Sequence, residues 1–214
     1  MSVSLKLNVF YCTIIFSYTC SAAPKNPPLP YDEWTYVFVY PSYLPAQVTY
    51  VRFLDTDGYL NQNYAPDLTT ADSMSVNAWR KIILRSTAIA NKGKMPPQWM
   101  QICWKSFVDK KVYQTTLEFP SEVWKLMRQP IVTPLGDYYR NNMVIGVAPE
   151  GKVRAWFNTP DINGGENIQI AEGKTVNGND LTFCKNFGAY KGGYKLSAAA
   201  KKFVEGKTYP YGKW

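Results

Sequence analysis

Histidine is absent from this 214-residue chain. That excludes imidazole bases for Ser or Cys nucleophiles, and ordinary His-ligated zinc. Carboxylate pairs are the next chemistry to look for, since glycosidases work with two Asp or Glu residues. No such pair stands in a recognisable context, so no catalytic residue, metal ligand or cofactor is assigned. Asp55-Thr56-Asp57-Gly58 opens like a metal-binding fragment. It lacks the later ligands of a calcium loop, and an Asp-Gly hairpin tip accounts for it. Asp161-Ile162-Asn163-Gly164-Gly165 resembles the start of a calcium loop, with Glu172 at its twelfth position. Glu166 stands where that loop needs glycine, so a Gly-rich turn is the simpler reading.

The cysteines depend on where the chain resides. Lys6 is the only charge before Lys25, and residues 7–19 are an apolar run followed by Cys20-Ser21-Ala22-Ala23. The run is too short to span a bilayer comfortably and has the length of a secretory signal. Two fates stay open for Cys20. It leaves with a signal cleaved after Ala22, or it becomes the acylated anchor of a lipoprotein. Ser17-Tyr18-Thr19 is a poor lipobox, which bears on the anchor and not on export. The expected organisation is a signal at residues 1–22, a Pro-rich tether at 23–30 and one globular domain at 31–214. The expected location is the periplasm, with or without attachment to the outer membrane. Cys103 and Cys184 then remain in an oxidising compartment. A bond between them would close a long loop and stabilise by about 4–5 kcal/mol; two buried free thiols are the alternative.

The net charge is +8, but the basic residues are spread and not run together. Spread charge belongs to a solvated surface more often than to a nucleic-acid stripe, so no nucleic acid is expected. It favours encounter with an acidic partner or an anionic membrane.

The elements that position these residues read mainly as strands. Residues 99–106 alternate, with Met100, Ile102 and Trp104 on one face. Tyr113, Thr115, Leu117 and Phe119 share a face of the returning strand, and Phe107, Val108, Asp109, Lys110 and Lys111 form the tip between them. The tip is a candidate partner contact, set against an ordinary solvated turn. Pro120 stops the ladder, and Ser121 is placed to cap a short helix with Val123, Leu126 and Met127 buried. Residues 34–40, 48–54, 59–64, 143–148 and 153–157 read as further strands, with Ile168 and Ile170 in another and a short one at 181–184. Residues 79–85 fit a strand or a helix, and the strand is the preferred reading. Residues 130–136 read as irregular. Residues 196–205 read as a helix ended by Gly206, and the aromatic tail 209–214 as packing back on the body. The class is α+β, mainly β: antiparallel sheets built from hairpins, with a few short helices.

The chain resembles an uncharacterised family of Gram-negative envelope lipoproteins, classed as a domain of unknown function. The residues are Leu29-Pro30-Tyr31-Asp32-Glu33-Trp34, then Tyr43-Leu44-Pro45-Ala46 and Asp55-Thr56-Asp57-Gly58. They continue with Pro97, Trp104, Ser106, Tyr113 and Phe119-Pro120, then Met127 and Tyr138-Tyr139-Arg140. Ile145-Gly146-Val147-Ala148-Pro149 and Trp156 complete the set. The resemblance covers roughly residues 29–160, with no match after Asp161. Members look like immunity proteins of type VI secretion systems, often encoded beside phospholipase effectors. The resemblance therefore implies a non-enzymatic protein that binds and neutralises a cognate secreted toxin, with membrane association through a lipid anchor if Cys20 is acylated. It carries over no catalytic residue. The alternative is a structural or ligand-binding envelope lipoprotein without a toxin partner.

Overall fold

In the computed structural model thirteen strands and two helices follow one another in chain order among the described residues. They are β1 (Trp34–Pro41), β2 (Ala46–Asp55), β3 (Leu60–Asn63), β4 (Thr70–Asp72), β5 (Lys92–Gly93), β6 (Pro97–Ser106), β7 (Lys111–Glu118), α1 (Ser121–Arg128), β8 (Ile131–Thr133), β9 (Gly136–Tyr138), β10 (Asn142–Ala148), β11 (Lys152–Phe157), β12 (Ile168–Glu172), β13 (Lys174–Asn177) and α2 (Ala198–Val204). The structure describes residues 26–83, 87–134, 136–158, 166–187, 195–209 and 211–214. The expected signal, with Cys20, lies outside the described residues. So do residues 161–165 of the second acidic loop.

Two sheets face each other. One has the order β12-β11-β10-β1-β4, with β5 also on β1; the other has the order β13-β7-β6-β2-β3. Trp34, Tyr36 and Phe38 from β1, Met143, Ile145 and Val147 from β10, and Val153, Ala155 and Phe157 from β11 line one inner face. Val51 and Phe53 from β2, Met100, Ile102 and Trp104 from β6, and Tyr113 and Leu117 from β7 line the other. The period-two alternation of each strand delivers these residues to one shared core. The class is as expected, mainly β with short helices, though β1 pairs in parallel with both β10 and β4. Central parallel strands are buried on both faces. That explains why the run Trp34–Pro41 is apolar almost throughout and not alternating.

Each sheet has a covered outer face. Trp79, Ile83 and Ala88 lie over Val37, Val39, Val144 and Trp156. Residues 79–83 are irregular, not a strand. The segment works as a cover whose indole meets Trp156 edge-on at 5.3 Å, so it needs no ladder. On the other sheet, residues 178–187 cover Tyr50 and Cys103 with Leu181, Phe183, Cys184 and Phe187. Two 3-10 turns, Gly178–Asp180 and Phe183–Asn186, replace the short strand expected there.

Smaller differences have local causes. The N-cap of α1 is Pro120, with no side-chain cap, and the Ser121 hydroxyl donates to Glu122 instead. Val123 and Met127 are buried as expected, with Leu126 at the margin of the core. Ile131–Thr133 and Gly136–Tyr138 pair as β8 and β9 where the sequence predicts an irregular stretch. The tail does pack back: Trp214 is buried against Leu44 and Ala148. Residues 26–30 are no free tether. Leu29 sits in the core, Asn26 donates to the Thr56 carbonyl, and Arg128 donates to the Pro27 carbonyl.

The chain passes from one sheet to the other at Gly173, between β12 and β13. A Cβ there would stand 2.4 Å from Thr115 Cγ2 and 2.9 Å from Val153 Cβ. Only a residue without a side chain lets both sheets close on that corner.

Candidate functional site

The outer face of the second sheet is only half covered. Register puts Arg52 opposite Gln101, Gln101 opposite Thr116, and Thr116 opposite Lys174. These side chains form a row across four strands, and Trp99 and Glu118 stand in the next row. Arg52, Gln98, Trp99, Gln101, Thr116 and Glu118 line an open groove of about 520 Å³.

Arg52 is the organising group. Gln101 Oε1 accepts from its Nε at 3.0 Å and from its Nη2 at 2.7 Å. The guanidinium lies 3.9 Å from the centroid of the Phe183 ring and 5.7 Å from that of Trp99. A planar cation fixed by a two-point hydrogen bond and by ring stacking is oriented before any partner arrives. Gln101 Nε2 in turn donates to Thr116 Oγ1, and Lys174 pairs with Glu118 at 2.9 Å. The groove thus offers an indole face, a held guanidinium and several amide and hydroxyl groups. Glu118 is its one carboxylate, so it lacks the two opposed carboxylates of glycoside hydrolysis.

Phe183 reaches Arg52 because the segment that carries it is fastened twice. Cys103 and Cys184 are joined, with Cα atoms 5.4 Å apart. The Gln114 carboxamide accepts from Thr182 N and Cys184 N, and donates to Thr182 Oγ1. Gln114 is therefore buried, although its strand position faces outward. Behind it, Tyr50 packs on Phe187 and Phe183 at 4.4 and 4.9 Å. Burial raises the Tyr50 phenol above its ordinary pKa.

The candidate contact tip, Phe107 to Lys111, is anchored at its base. Val108 packs among Leu44, Ala148 and Trp214. The Asp109 carboxylate accepts from Tyr113 Oη and Glu150 N at 2.9 Å each, and from Tyr209 Oη. Of the five residues Lys110 and Lys111 are exposed. The tip ties the β6–β7 hairpin to the neighbouring turn and the tail and presents its two lysines to solvent. Desolvation first, then the Asp109 hydrogen bond, push both phenols well above their ordinary range.

The first acidic motif gathers no ligands among the described residues. Asp55 Oδ1 accepts from Asp57 N and Tyr59 N within its own turn, as hairpin chemistry requires. Glu172 lies 3.9 Å from Arg154. Among the described residues no group of three metal-binding side chains comes together.

A family model described as a protein of unknown function, DUF2931, matches residues 21–212. The chain belongs to this family. The match runs past Asp161, where the sequence motifs ended, and takes in the covering segment and its Cys184. No curated protein and no solved structure matches the chain. The groove residues Arg52, Trp99, Gln101 and Phe183 escaped the sequence reading. The alternation that sent Met100 and Ile102 inward already implied Trp99 and Gln101 outward, but nothing local announced Phe183 as their neighbour.

Proposed function

We propose that this protein is an envelope immunity protein. It binds a secreted type VI effector, a phospholipase in the first instance, and neutralises it by occlusion. It acts in the periplasm, held at the outer membrane if Cys20 is acylated. The observation that carries the reading is the preoriented Arg52–Trp99 pair on a rigid, open sheet face. Interface energy concentrates in Trp, Tyr and Arg anchors whose geometry is fixed beforehand. The apolar run before Cys20 and the resemblance to envelope immunity proteins support the address and the partner class. A partner binder needs no reactive centre, which suits a groove with one paired carboxylate.

A second reading has its own support. An indole beside Gln98 and Gln101 also suits a saccharide, which would make the protein a ligand-binding envelope component. Titration of the effector's lipase activity decides between the two. Stoichiometric inhibition that Arg52→Ala or Trp99→Ala weakens by roughly 2 kcal/mol or more favours the immunity protein. Unchanged effector activity, with cell-wall saccharide quenching Trp99 fluorescence, favours the ligand binder.

A further inference from the structure

The two ends of the sandwich differ in charge and in backbone. At one end lie the β6–β7 tip, the β10–β11 turn and α2. This end exposes Lys110, Lys111, Lys152, Lys201, Lys202 and Lys207. None of the six is in an ion pair with a carboxylate among the described residues. At the other end and along the sheet face, Lys92 pairs with Glu33 and Lys174 with Glu118; Lys94 and Lys125 are exposed there too, but they stand among the exposed carboxylates Glu33, Glu118 and Glu122. The chain enters the described structure at that opposite end, through Asn26 and Pro27. β2 runs the length between the two ends, which is about 30 Å at the usual strand rise.

The basic end also carries a socket. Tyr40, Tyr43, Pro45, Phe107 and Ala200 line a pocket of about 270 Å³, with Lys195 and Ser197 at its rim. Tyr43 stacks on Phe203 at 5.1 Å, and Lys207 Nζ sits 3.3 Å from the centre of that same ring. Tyr43, Lys110 and Glu150 have φ of 69°, 54° and 66°. These non-glycine residues in the left-handed region all lie in turns of this one end. Such strain persists only where surrounding structure enforces it, and it gathers at working surfaces.

We propose that this end is a docking surface for an acidic, partly apolar protein segment: unpaired lysines meet its carboxylates and the Tyr40–Tyr43–Phe107 pocket takes an apolar side chain. Charge complementarity selects the partner's chemistry, and an unpaired basic rim speeds its encounter. Asn26, the first described residue, lies at the opposite end. In a chain anchored at Cys20, as proposed above, a surface about 30 Å away faces from the bilayer, so a protein partner fits better than an anionic membrane. The choice of partner class rests on that proposed anchor; the test contains no effector, so the inhibition reading and this one fail separately.

The probe is a short synthetic peptide alternating Glu and Leu, titrated by fluorescence anisotropy against the full chain. A Lys-for-Glu peptide and phosphatidylglycerol vesicles are run in parallel, and the binding site is mapped by hydrogen exchange. The Glu–Leu peptide is expected to bind, to weaken as salt rises, and to protect α2 and residues 107–111. Joint Lys201→Glu and Lys202→Glu substitution should weaken it about tenfold. Lys92→Glu with Lys94→Glu, at the opposite end, should leave it unchanged. Tyr43→Ser should weaken it without changing its salt dependence. Equal losses from both lysine pairs, protection elsewhere, or vesicles bound in preference to the peptide would each overturn the proposal.

Discussion

Breaking the Cys103–Cys184 bond, by Ser at both positions, tests how the covering segment and the Arg52 groove depend on each other. The bond joins residues 81 apart. In the chain-entropy treatment, freeing a loop of that length from the unfolded chain costs about 4.5 kcal/mol of stability. For a protein of this size that is a fall in thermal midpoint of roughly 9–18 °C. The loss should also be felt locally. Phe183 is next to Cys184 and lies under the Arg52 guanidinium, so a loosened segment takes away one of the cation's two rings. Gln114 alone would still hold Thr182 and the Cys184 amide. The assay is urea unfolding of oxidised wild type, reduced wild type and the double Ser variant, with hydrogen exchange across residues 178–187. The reduced and Ser forms should agree with each other and lose several kcal/mol, with faster exchange confined to that segment at low urea. A loss under about 1 kcal/mol would refute the reasoning, because neither the loop entropy nor the fastening of Phe183 could then be as described.

Three other outcomes follow from the packing. Gly173→Ala forces a methyl against Thr115 and Val153 and should cost about 1–3 kcal/mol; a wild-type urea midpoint would mean the corner between the sheets is not closed as described. Thr115→Val leaves the buried Trp104 indole N–H without the oxygen it now meets at 2.9 Å and should cost about 1–3 kcal/mol, read the same way. Tyr31, Tyr36, Tyr50, Tyr113 and Tyr209 are all held above the ordinary phenol pKa, chiefly by burial. The folded form keeps these protons while the unfolded form gives them up above about pH 10, so stability should be level below that pH and fall beyond it. Absorbance of tyrosinate should show these phenols ionising together with unfolding, and a smooth titration of every tyrosine in the folded state would contradict this.

What the sequence made legible was local. Alternation in 99–106 and 113–119 placed Met100, Ile102, Trp104, Tyr113 and Leu117 correctly, because strand parity alone decides which face a residue joins. Asp55–Gly58 read as a turn since its carboxylate and glycine serve the turn itself. What failed was non-local. Residues paired between β1 and β10 are 107 apart in sequence, as in Thr35 with Asn142, and no short window carries the parallel pairing that makes both faces of β1 dry. Residues 79–83 are apolar enough for a strand, yet Trp79 and Ile83 act as a lid over Val37 and Val144. The Phe107–Lys111 tip reads as a polar turn, and nothing local announces that Asp109 takes three partners drawn from β7, the β10–β11 turn and the tail. The groove was the least legible feature. Arg52, Trp99 and Phe183 come from three distant stretches and meet only after the 178–187 segment folds over Tyr50. For Cys103 and Cys184 the sequence left a bond and two free thiols both open, and only the fold of that segment puts the two side by side.

The central claim is that the protein neutralises a secreted effector by binding it through the Arg52–Trp99 face. The most direct measurement titrates the protein into a type VI phospholipase effector, chosen from any encoded next to its gene, and follows lipase activity and complex mass together. The account predicts a stable complex, loss of activity complete near equimolar protein, and escape of the effector from Arg52→Ala and Trp99→Ala variants that are otherwise folded. Full protection at far below equimolar protein would contradict it by indicating turnover, and the absence of any complex would contradict it outright.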